Sequence, residues 1–183
     1  EVIDLSVSNS ENTRLAVLWR DTSVQPHVQR ISIFSRDGGG TLIRQGIPLG
    51  PGQQIEILPG GEAAYVYSNT ANGQFVTRFD ADTARPNDWS RTDARYADYT
   101  SSMLLSRELA IIGVEDNAES TQRHTHILAF NRDGKIRWNL PFVTQEGAYL
   151  YSQAWSEKNS LLVLATDDGT VSAYKVESSF NPR

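Results

Sequence analysis

Two kinds of apolar run alternate along the 183 residues of this chain, and each recurs at a nearly constant interval. The first run is continuously apolar and ends in a polar or acidic residue, and its copies begin at Leu15, Ala63, Leu109 and Leu161. These starts are 46 to 52 residues apart. A fixed interval of this kind predicts a fold in which one structural unit is stacked several times.

The second run follows each copy of the first and ends in an aromatic residue, which is Phe34, Phe79, Phe130 or Tyr174. These aromatic residues are 44 to 51 positions apart, so two independent markers give the same interval. Repeats of about 40 to 50 residues are typical of β-propellers, in which every repeat forms one blade.

Strands rather than helices are expected throughout, because the apolar runs are short and are bounded by Gly, Asp, Asn and Pro. Two weaker runs complete each unit, one before the first run and one after the second. We letter the four strands of a unit a to d, from the centre of a propeller outward. The a strands are expected at 2–7, 55–58, 102–105 and 149–155.

The d strands are expected in the first three units only. Their markers are Ile43, Arg44 and Ile47, then Trp89 and Arg91, then Ile136, Arg137 and Trp138. After Tyr174 the sequence reads KVESSFNPR, which is too short for a turn and a further strand. An unpaired strand edge invites pairing with another chain, so we expect either an outside strand or a deliberately open edge there.

The expected fold class is therefore all-β, a β-propeller of about four four-stranded antiparallel blades. It would be a complete small ring or a segment of a ring of about six to eight blades. The blades of this single propeller domain or segment would span about 2–49, 53–93, 99–142 and 148–177.

Glycines mark the turns of these units. Gly38 and Gly134 follow Asp in the turns between strands c and d, and Gly169 follows Asp168 in the last turn between b and c. Tight hairpin turns need positive φ, which glycine adopts without steric cost. We therefore interpret the Arg-Asp-Gly sequences as structural turns.

The segments FNRDGKIRW at 130–138 and LLVLATDDGTVSAYKV at 161–176 resemble the repeat of quinoprotein-type β-propellers. That family includes quinone-dependent dehydrogenases and non-catalytic members such as the outer-membrane assembly lipoprotein propeller. We expect Trp89 and Trp138 to pack between adjacent blades, and the alternative, suggested by the resemblance, is an indole stacked on a quinone. The first unit departs from the pattern with Gln45 near the tryptophan position, and a propeller of the WD type is the alternative family.

Composition excludes several functions. The formal charge is −5, with 17 basic residues scattered along the chain, which argues against binding nucleic acid or an anionic membrane. No apolar run approaches the roughly 18 to 20 residues of a membrane span. Cysteine is absent, which excludes disulfides, thiolate metal sites and a cysteine nucleophile. The chain starts at Glu1 rather than Met, so we interpret it as a processed or trimmed segment.

The candidate metal ligands are His124 and His126, whose i and i+2 spacing places both side chains on one face of a strand. A solvated hairpin tip is the favoured interpretation, because the sequence identifies no third ligand. Asp80 and Asp82 alternate as calcium ligands do, but turn chemistry explains them better. The chain carries no catalytic motif, so we expect no catalytic residue, no cofactor and no metal.

These observations favour a non-catalytic propeller scaffold that mediates protein–protein interaction in a bacterial envelope or secretion assembly. A protein partner could donate a strand to the open edge of the fourth blade. The resemblance implies a periplasmic or other extracytoplasmic location, with the cytoplasm left open. The alternative is a propeller that binds a quinone, a metal or a carbohydrate in a redox or recognition role.

Overall fold

A computed structural model describes residues 1–9, 13–35, 40–48, 52–70, 73–93, 96–98, 103–106, 109–116, 124–143 and 150–176. All the regular elements in these residues are β-strands, and none of them is a helix that could cross a membrane. The chain divides into two compact units, Glu1–Asp93 and Ala94–Arg183.

The first unit contains two antiparallel sheets with the strand orders β1-β2-β3-β4 and β5-β6-β7-β8, here called blades 1 and 2. Its strands are β1 Val2–Val7, β2 Arg14–Asp21, β3 Val28–Ser35, β4 Leu42–Gly46, β5 Gly52–Ile57, β6 Ala63–Thr70, β7 Gly73–Asp80 and β8 Trp89–Asp93.

The second unit also contains two antiparallel sheets. Blade 3 has the order β10-β11-β12-β13, with β9 paired to β11, and blade 4 has the order β14-β15-β16. The strands are β9 Tyr96–Asp98, β10 Met103–Leu105, β11 Ala110–Asp116, β12 His124–Phe130, β13 Ile136–Val143, β14 Leu150–Ser156, β15 Leu161–Thr166 and β16 Val171–Lys175.

The strands expected from the sequence all occur, in the expected order within each sheet. The sequence does not predict β9, which pairs with the far end of β11 through Asp98 and Tyr96. Blade 4 has three strands in the part of the chain that the structure describes, and the expected gap at 177–183 lies outside that part. The single-domain boundaries stay a prediction.

Side chains, rather than a backbone ladder, join the inner strands of blades 1 and 2. The Asp4 carboxylate accepts a hydrogen bond from the Ile55 N–H at 2.8 Å, and the Ser6 hydroxyl accepts one from the Ile57 N–H at 3.1 Å. Ser6 also donates to the Glu56 carboxylate at 2.8 Å. These contacts satisfy amides at the edge of β5 that would otherwise lack a partner in its own sheet.

An apolar layer fills the space between blades 1 and 2. In register, Ala16 lies opposite Ile33 and Leu18 lies opposite Ile31, so these four side chains share one face of blade 1. They form one buried cluster with residues of blade 2. The blade 2 members are Ile55, Ile57, Ala64, Val66, Phe79 and Ala81.

The same arrangement recurs in the second unit. Its buried cluster joins Ile111, Ile127, Ala129 and Trp138 of blade 3 to Leu150, Leu162 and Leu164 of blade 4. Trp138 of blade 3 contacts Trp155 of blade 4 at a ring-centroid distance of 6.3 Å. Each unit is therefore held together by the packing of one sheet face onto another.

Close approach of blades 1 and 2 depends on a glycine at the end of β4. A Cβ atom at Gly46 would lie 2.6 Å from Cε1 of Phe79, well inside van der Waals contact. We expect Gly46→Ala to lower the free energy of unfolding by about 1 to 3 kcal/mol, because the Phe79 ring must move within a packed layer. Chemical denaturation measures this change.

The matched test is a double-mutant cycle with Phe79→Leu, which removes the clashing ring atoms. The double variant should lose less stability than the sum of the two single variants. Additive losses would show that Gly46 and Phe79 do not contact each other in solution.

Candidate functional site

The aromatic residues that end the c strands do not share one environment. Phe79 and Phe130 are buried, whereas Phe34 and Tyr174 are half-buried. Tyr174 packs against the blade 3–blade 4 cluster, and Phe34 lies on a face of blade 1 that is partly open. The exposed aromatic edges therefore belong to the first and last blades.

The two tryptophans of the d strands are both buried packing residues. Trp89 and Tyr65 form a T-shaped ring contact at a centroid distance of 5.8 Å, and the Arg91 guanidinium lies 5.6 Å from the Trp89 ring centroid. Trp138 lies in the layer between blades 3 and 4. Such contacts use the indole faces for packing and a cation–π interaction.

Two of the three marker glycines adopt the backbone conformation that their turns require. Gly134 has φ of 71° and Gly169 has φ of 86°. The N–H of Gly134 donates to the Asn131 carbonyl, and that of Gly169 donates to the Thr166 carbonyl, which closes each turn. Gly38 lies outside the described residues.

The structure describes the side chain of one member of the histidine pair, His126. The His126 ring Nδ1 lies 2.9 Å from the Asn139 side-chain oxygen on the neighbouring strand β13. His124 begins β12, and its side chain lies outside the described part. Among the described residues, no three His, Cys, Asp or Glu side chains converge as a metal site would require.

Asp80 is the centre of a polar network at the turn between β7 and β8. Its carboxylate accepts hydrogen bonds from Arg78 at 3.0 Å and from the backbone N–H groups of Asp82 and Asn87 at 3.1 and 3.3 Å. Arg44 of β4 contacts the Asp80 carbonyl and pairs with Asp88. These contacts occupy the carboxylates, which agrees with a turn rather than a calcium loop.

Burial raises the pKa of Asp80, but the hydrogen bonds from Asp82 and Arg78 outweigh it and hold that pKa below its ordinary value of 3.8. The charged form of Asp80 therefore stabilises the folded state. Because Arg44 belongs to blade 1 and Asp88 to blade 2, the network also ties the outer edges of the two blades together.

The face of blade 1 that points away from blade 2 carries several exposed apolar side chains, and we call it the open rear face. Register places Leu5 opposite Val17, Val7 opposite Leu15 and Leu15 opposite Phe34, so these side chains share it. Leu5 is 56% exposed and Val7 is 51% exposed. Its apolar residues are Val2, Leu5, Val7, Leu15, Val17, Trp19, Phe34 and Leu42, and the polar residues Arg30, Ser32 and Gln45 share the face.

A pocket of about 360 Å³ lies at one end of the open rear face. It is lined mainly by apolar atoms of Val7, Leu15 and Phe34, with Thr13 just before β2 and Arg14 at its first position. The sequence analysis did not single out this face. The feature of the sequence that could have indicated this face is the run VIDLSV of β1, because apolar residues occur on both faces of that strand.

Strand β16 of blade 4 has one edge without a partner among the described strands. β16 pairs with β15 on one side, and no other described strand pairs with it. The residues of β16 are exposed or half-buried, whereas Ile31–Ile33 of β3, Val76–Phe79 of β7 and Ile127–Phe130 of β12 are buried. In blades 1, 2 and 3 the corresponding third strand pairs with a fourth strand.

No protein-family model matches the chain, and no curated protein matches it. Solved structures are similar to it over most of its length. Hydrazine synthase from Kuenenia stuttgartiensis aligns with a TM-score of 0.56 and 12% identity, covering 90% of this chain and 61% of that one.

A subtype N10 neuraminidase-like protein of A/little yellow-shouldered bat/Guatemala/060/2010 has a TM-score of 0.50 and 12% identity, covering 92% and 56%. A neuraminidase-like protein from A/bat/Guatemala/164/2009 has a TM-score of 0.51 and 13% identity, covering 93% and 52%. The chain thus spans 52% to 61% of the length of these structures. At such identities the likeness shows the fold, and the expected class is confirmed as all-β with propeller blades.

The Asp80 network gives a pH dependence of known sign. A folded-state pKa below the ordinary value means that the unfolded chain binds the proton more tightly, so stability falls as the pH drops below about 4 to 5. We expect Asp80→Asn to lower the free energy of unfolding at neutral pH by about 1 to 3 kcal/mol. We also expect the stability of this variant to fall less steeply as the pH drops below about 4 to 5. Denaturant unfolding at several pH values measures both effects.

The control is Glu157→Gln, which changes an exposed carboxylate on the turn between β14 and β15. In this variant, stability should fall as steeply below about pH 4 to 5 as it does in the unmodified chain. If Asp80→Asn leaves the steepness equally unchanged, the account of Asp80 is wrong.

Proposed function

We propose that this chain is a non-catalytic propeller scaffold that binds a protein partner through the open edge of blade 4. The observation that carries the proposal is the exposure of β16, whose counterparts β3, β7 and β12 are buried under a fourth strand. Unpaired strand edges are templates for added strands, and natural proteins normally cover them. The resemblance of the third and fourth repeats to quinoprotein-type propellers supports a place in a bacterial envelope or secretion assembly.

The backbone of β16 presents its free groups at alternate residues. The Val176 N–H donates to the Ser160 carbonyl, and the Thr166 N–H donates to the Thr170 carbonyl, so even-numbered residues of this strand face β15. In an antiparallel pair the N–H and C=O of one residue point to the same side. Val171, Ala173 and Lys175 therefore direct both groups outward, where a donated strand would bind.

The other blades indicate what the donated strand should look like. Trp138 lies opposite Ala129, one residue before Phe130, and Trp89 lies opposite Arg78, one residue before Phe79. The matching position in blade 4 is Ala173, one residue before Tyr174. A donor strand should therefore carry a large aromatic side chain opposite Ala173.

A peptide with the sequence of β13, IRWNLPFV, is a suitable probe because it is a d strand with this tryptophan. We expect it to bind the chain with a Kd of about 10 to 100 µM, measured by fluorescence anisotropy. Ala173→Pro removes an outward N–H without breaking a bond to β15 and should abolish binding. Ala173→Val keeps that N–H and should bind about as tightly as the unmodified chain.

A second control is the same peptide with serine in place of tryptophan, which should bind at least about fivefold more weakly because it loses an aromatic contact of about 1 kcal/mol or more. If both peptides bind equally, or if Ala173→Pro binds as tightly as Ala173→Val, strand donation at this edge is contradicted.

A further inference from the structure

Strand β16 ends in a lysine at a position where blades 2 and 3 carry a hydrogen-bond acceptor. The residue that follows the c-strand aromatic is Asp80 in blade 2, Asn131 in blade 3 and Lys175 in blade 4. The Asn131 side chain accepts hydrogen bonds from the backbone N–H groups of Asp133 and Lys135 at 3.0 and 2.9 Å. An ammonium group has three donors and no acceptor, so Lys175 cannot close a turn in this way.

Blade 2 shows which residue of a fourth strand meets this position. There the strands β7 and β8 pair without a shift in register as far as Trp89. The Asp80 carboxylate contacts Asn87, two residues before Trp89, by accepting its backbone N–H at 3.3 Å. A strand that pairs with β16 in the same register has its aromatic residue opposite Ala173. Its residue two positions earlier then lies opposite Lys175.

The side chain of Lys175 is open to such a contact. Lys175 pairs with Leu161 of β15 and shares one face of blade 4 with Ala173 and Val171. These three residues of β16 are exposed. In the part of the chain that the structure describes, the ion pairs are formed by arginines, and Lys175 is in none of them. An ammonium group without a counter-charge at a strand edge favours an added strand that brings a carboxylate.

We propose that the partner strand of blade 4 carries an Asp or Glu two residues before its aromatic residue, and that this carboxylate pairs with the Lys175 ammonium. The inference rests on the proposed function, strand donation to β16, and adds the chemistry by which this edge selects its partner. The donor and acceptor are exchanged relative to blade 2, where strand c supplies the carboxylate of Asp80. In blade 4 strand c supplies the N–H donors, so the acceptor belongs to the partner.

The neighbouring positions complete the sequence pattern of the partner strand. All the strand pairs of the described residues are antiparallel, so we expect the partner to run antiparallel to β16. The residue two positions after its aromatic residue then lies opposite Val171, which is 68% exposed. An apolar side chain there covers Val171. The partner is thus a protein segment with acidic, aromatic and apolar residues at alternate positions.

Peptides derived from β13, with acetylated and amidated ends that carry no charge, test the ion pair. The residue of β13 two positions before Trp138 is Ile136, so Ile136→Glu supplies the carboxylate and Ile136→Gln is its neutral match. We expect the Ile136→Glu peptide to bind about two- to fivefold more tightly than the Ile136→Gln peptide, measured by fluorescence anisotropy. About 1 M NaCl should remove most of this difference, because salt screens an exposed ion pair.

Variants of the whole chain assign the preference to Lys175. Lys175→Gln should bind both peptides equally, because it keeps the backbone groups of β16 and removes the charge. Lys175→Glu should reverse the preference and bind an Ile136→Lys peptide more tightly than the Ile136→Glu peptide. The matched control is Lys135→Gln, which removes another exposed lysine, on the turn between β12 and β13, and should keep the preference of the unmodified chain. Thermal unfolding verifies that the variants are folded.

Three outcomes overturn the inference. The unmodified chain may bind the Ile136→Glu and Ile136→Gln peptides equally, or Lys175→Gln may keep the preference. Lys175→Gln may also bind every peptide more tightly, which would mean that Lys175 only repels added strands. In each of these outcomes, loss of binding in Ala173→Pro would still support strand donation. If no peptide binds, or if Ala173→Pro binds them all, strand donation itself is contradicted and this inference with it, so the two failures are distinguishable.

Discussion

A sheet whose central strands are apolar on both faces is stable in water only when another layer covers each face. Strand β6 of blade 2 shows this condition in its strongest form, because Ala63–Ser68 are buried on both sides. One such sheet cannot bury its own faces, so the fold must be a stack of similar units. The interval of the apolar runs follows from this requirement, since every unit must supply the same strands.

Polar contacts at two radial positions fix how the stacked faces meet. At the inner strands, Asp4 and Ser6 bind backbone amides of β5, and at the outer strands Arg44 binds Asp88 and the Asp80 carbonyl. The apolar layer lies between these two sets of polar contacts, and apolar packing alone would allow one blade to shift against the other. Directional bonds on both sides of a non-directional contact define one register for the pair of blades.

The sequence predicts the strands well because their signal is local. Apolar runs and turn residues mark β1 to β8 and β10 to β16, and the marker glycines Gly134 and Gly169 take the positive φ expected of them. It does not predict β9, a three-residue strand without a distinctive apolar pattern. Short strands of this kind depend on the neighbour that they pair with rather than on their own side chains.

The sequence does not predict the contacts between blades. Gly46 and Phe79 are 33 residues apart, and Arg44 and Asp88 are 44 apart, so no local pattern links them. The open rear face is missed for the same reason, because an apolar alternation in β1 does not reveal which of its faces finds a partner. Burial decides this, and burial is a property of the assembled sheets.

The open rear face of blade 1 in the first unit and strand β16 in the second are exposed surfaces. Leu5 and Val7 are exposed on the open rear face of blade 1, and blade 4 has three strands among the described residues. The structural neighbours show the fold. The proposed function rests on strand β16, to which we propose that a partner strand binds through backbone hydrogen bonds.

Amide hydrogen exchange along the c strands tests the central claim, that blade 4 ends in an unpaired edge. The account predicts protection throughout Ile31–Ile33, Val76–Phe79 and Ile127–Phe130, whose strands have neighbours on both sides. In β16 it predicts protection at Ser172 and Tyr174 and rapid exchange at Val171, Ala173 and Lys175. Equal protection at all five residues of β16 in the isolated chain would contradict it.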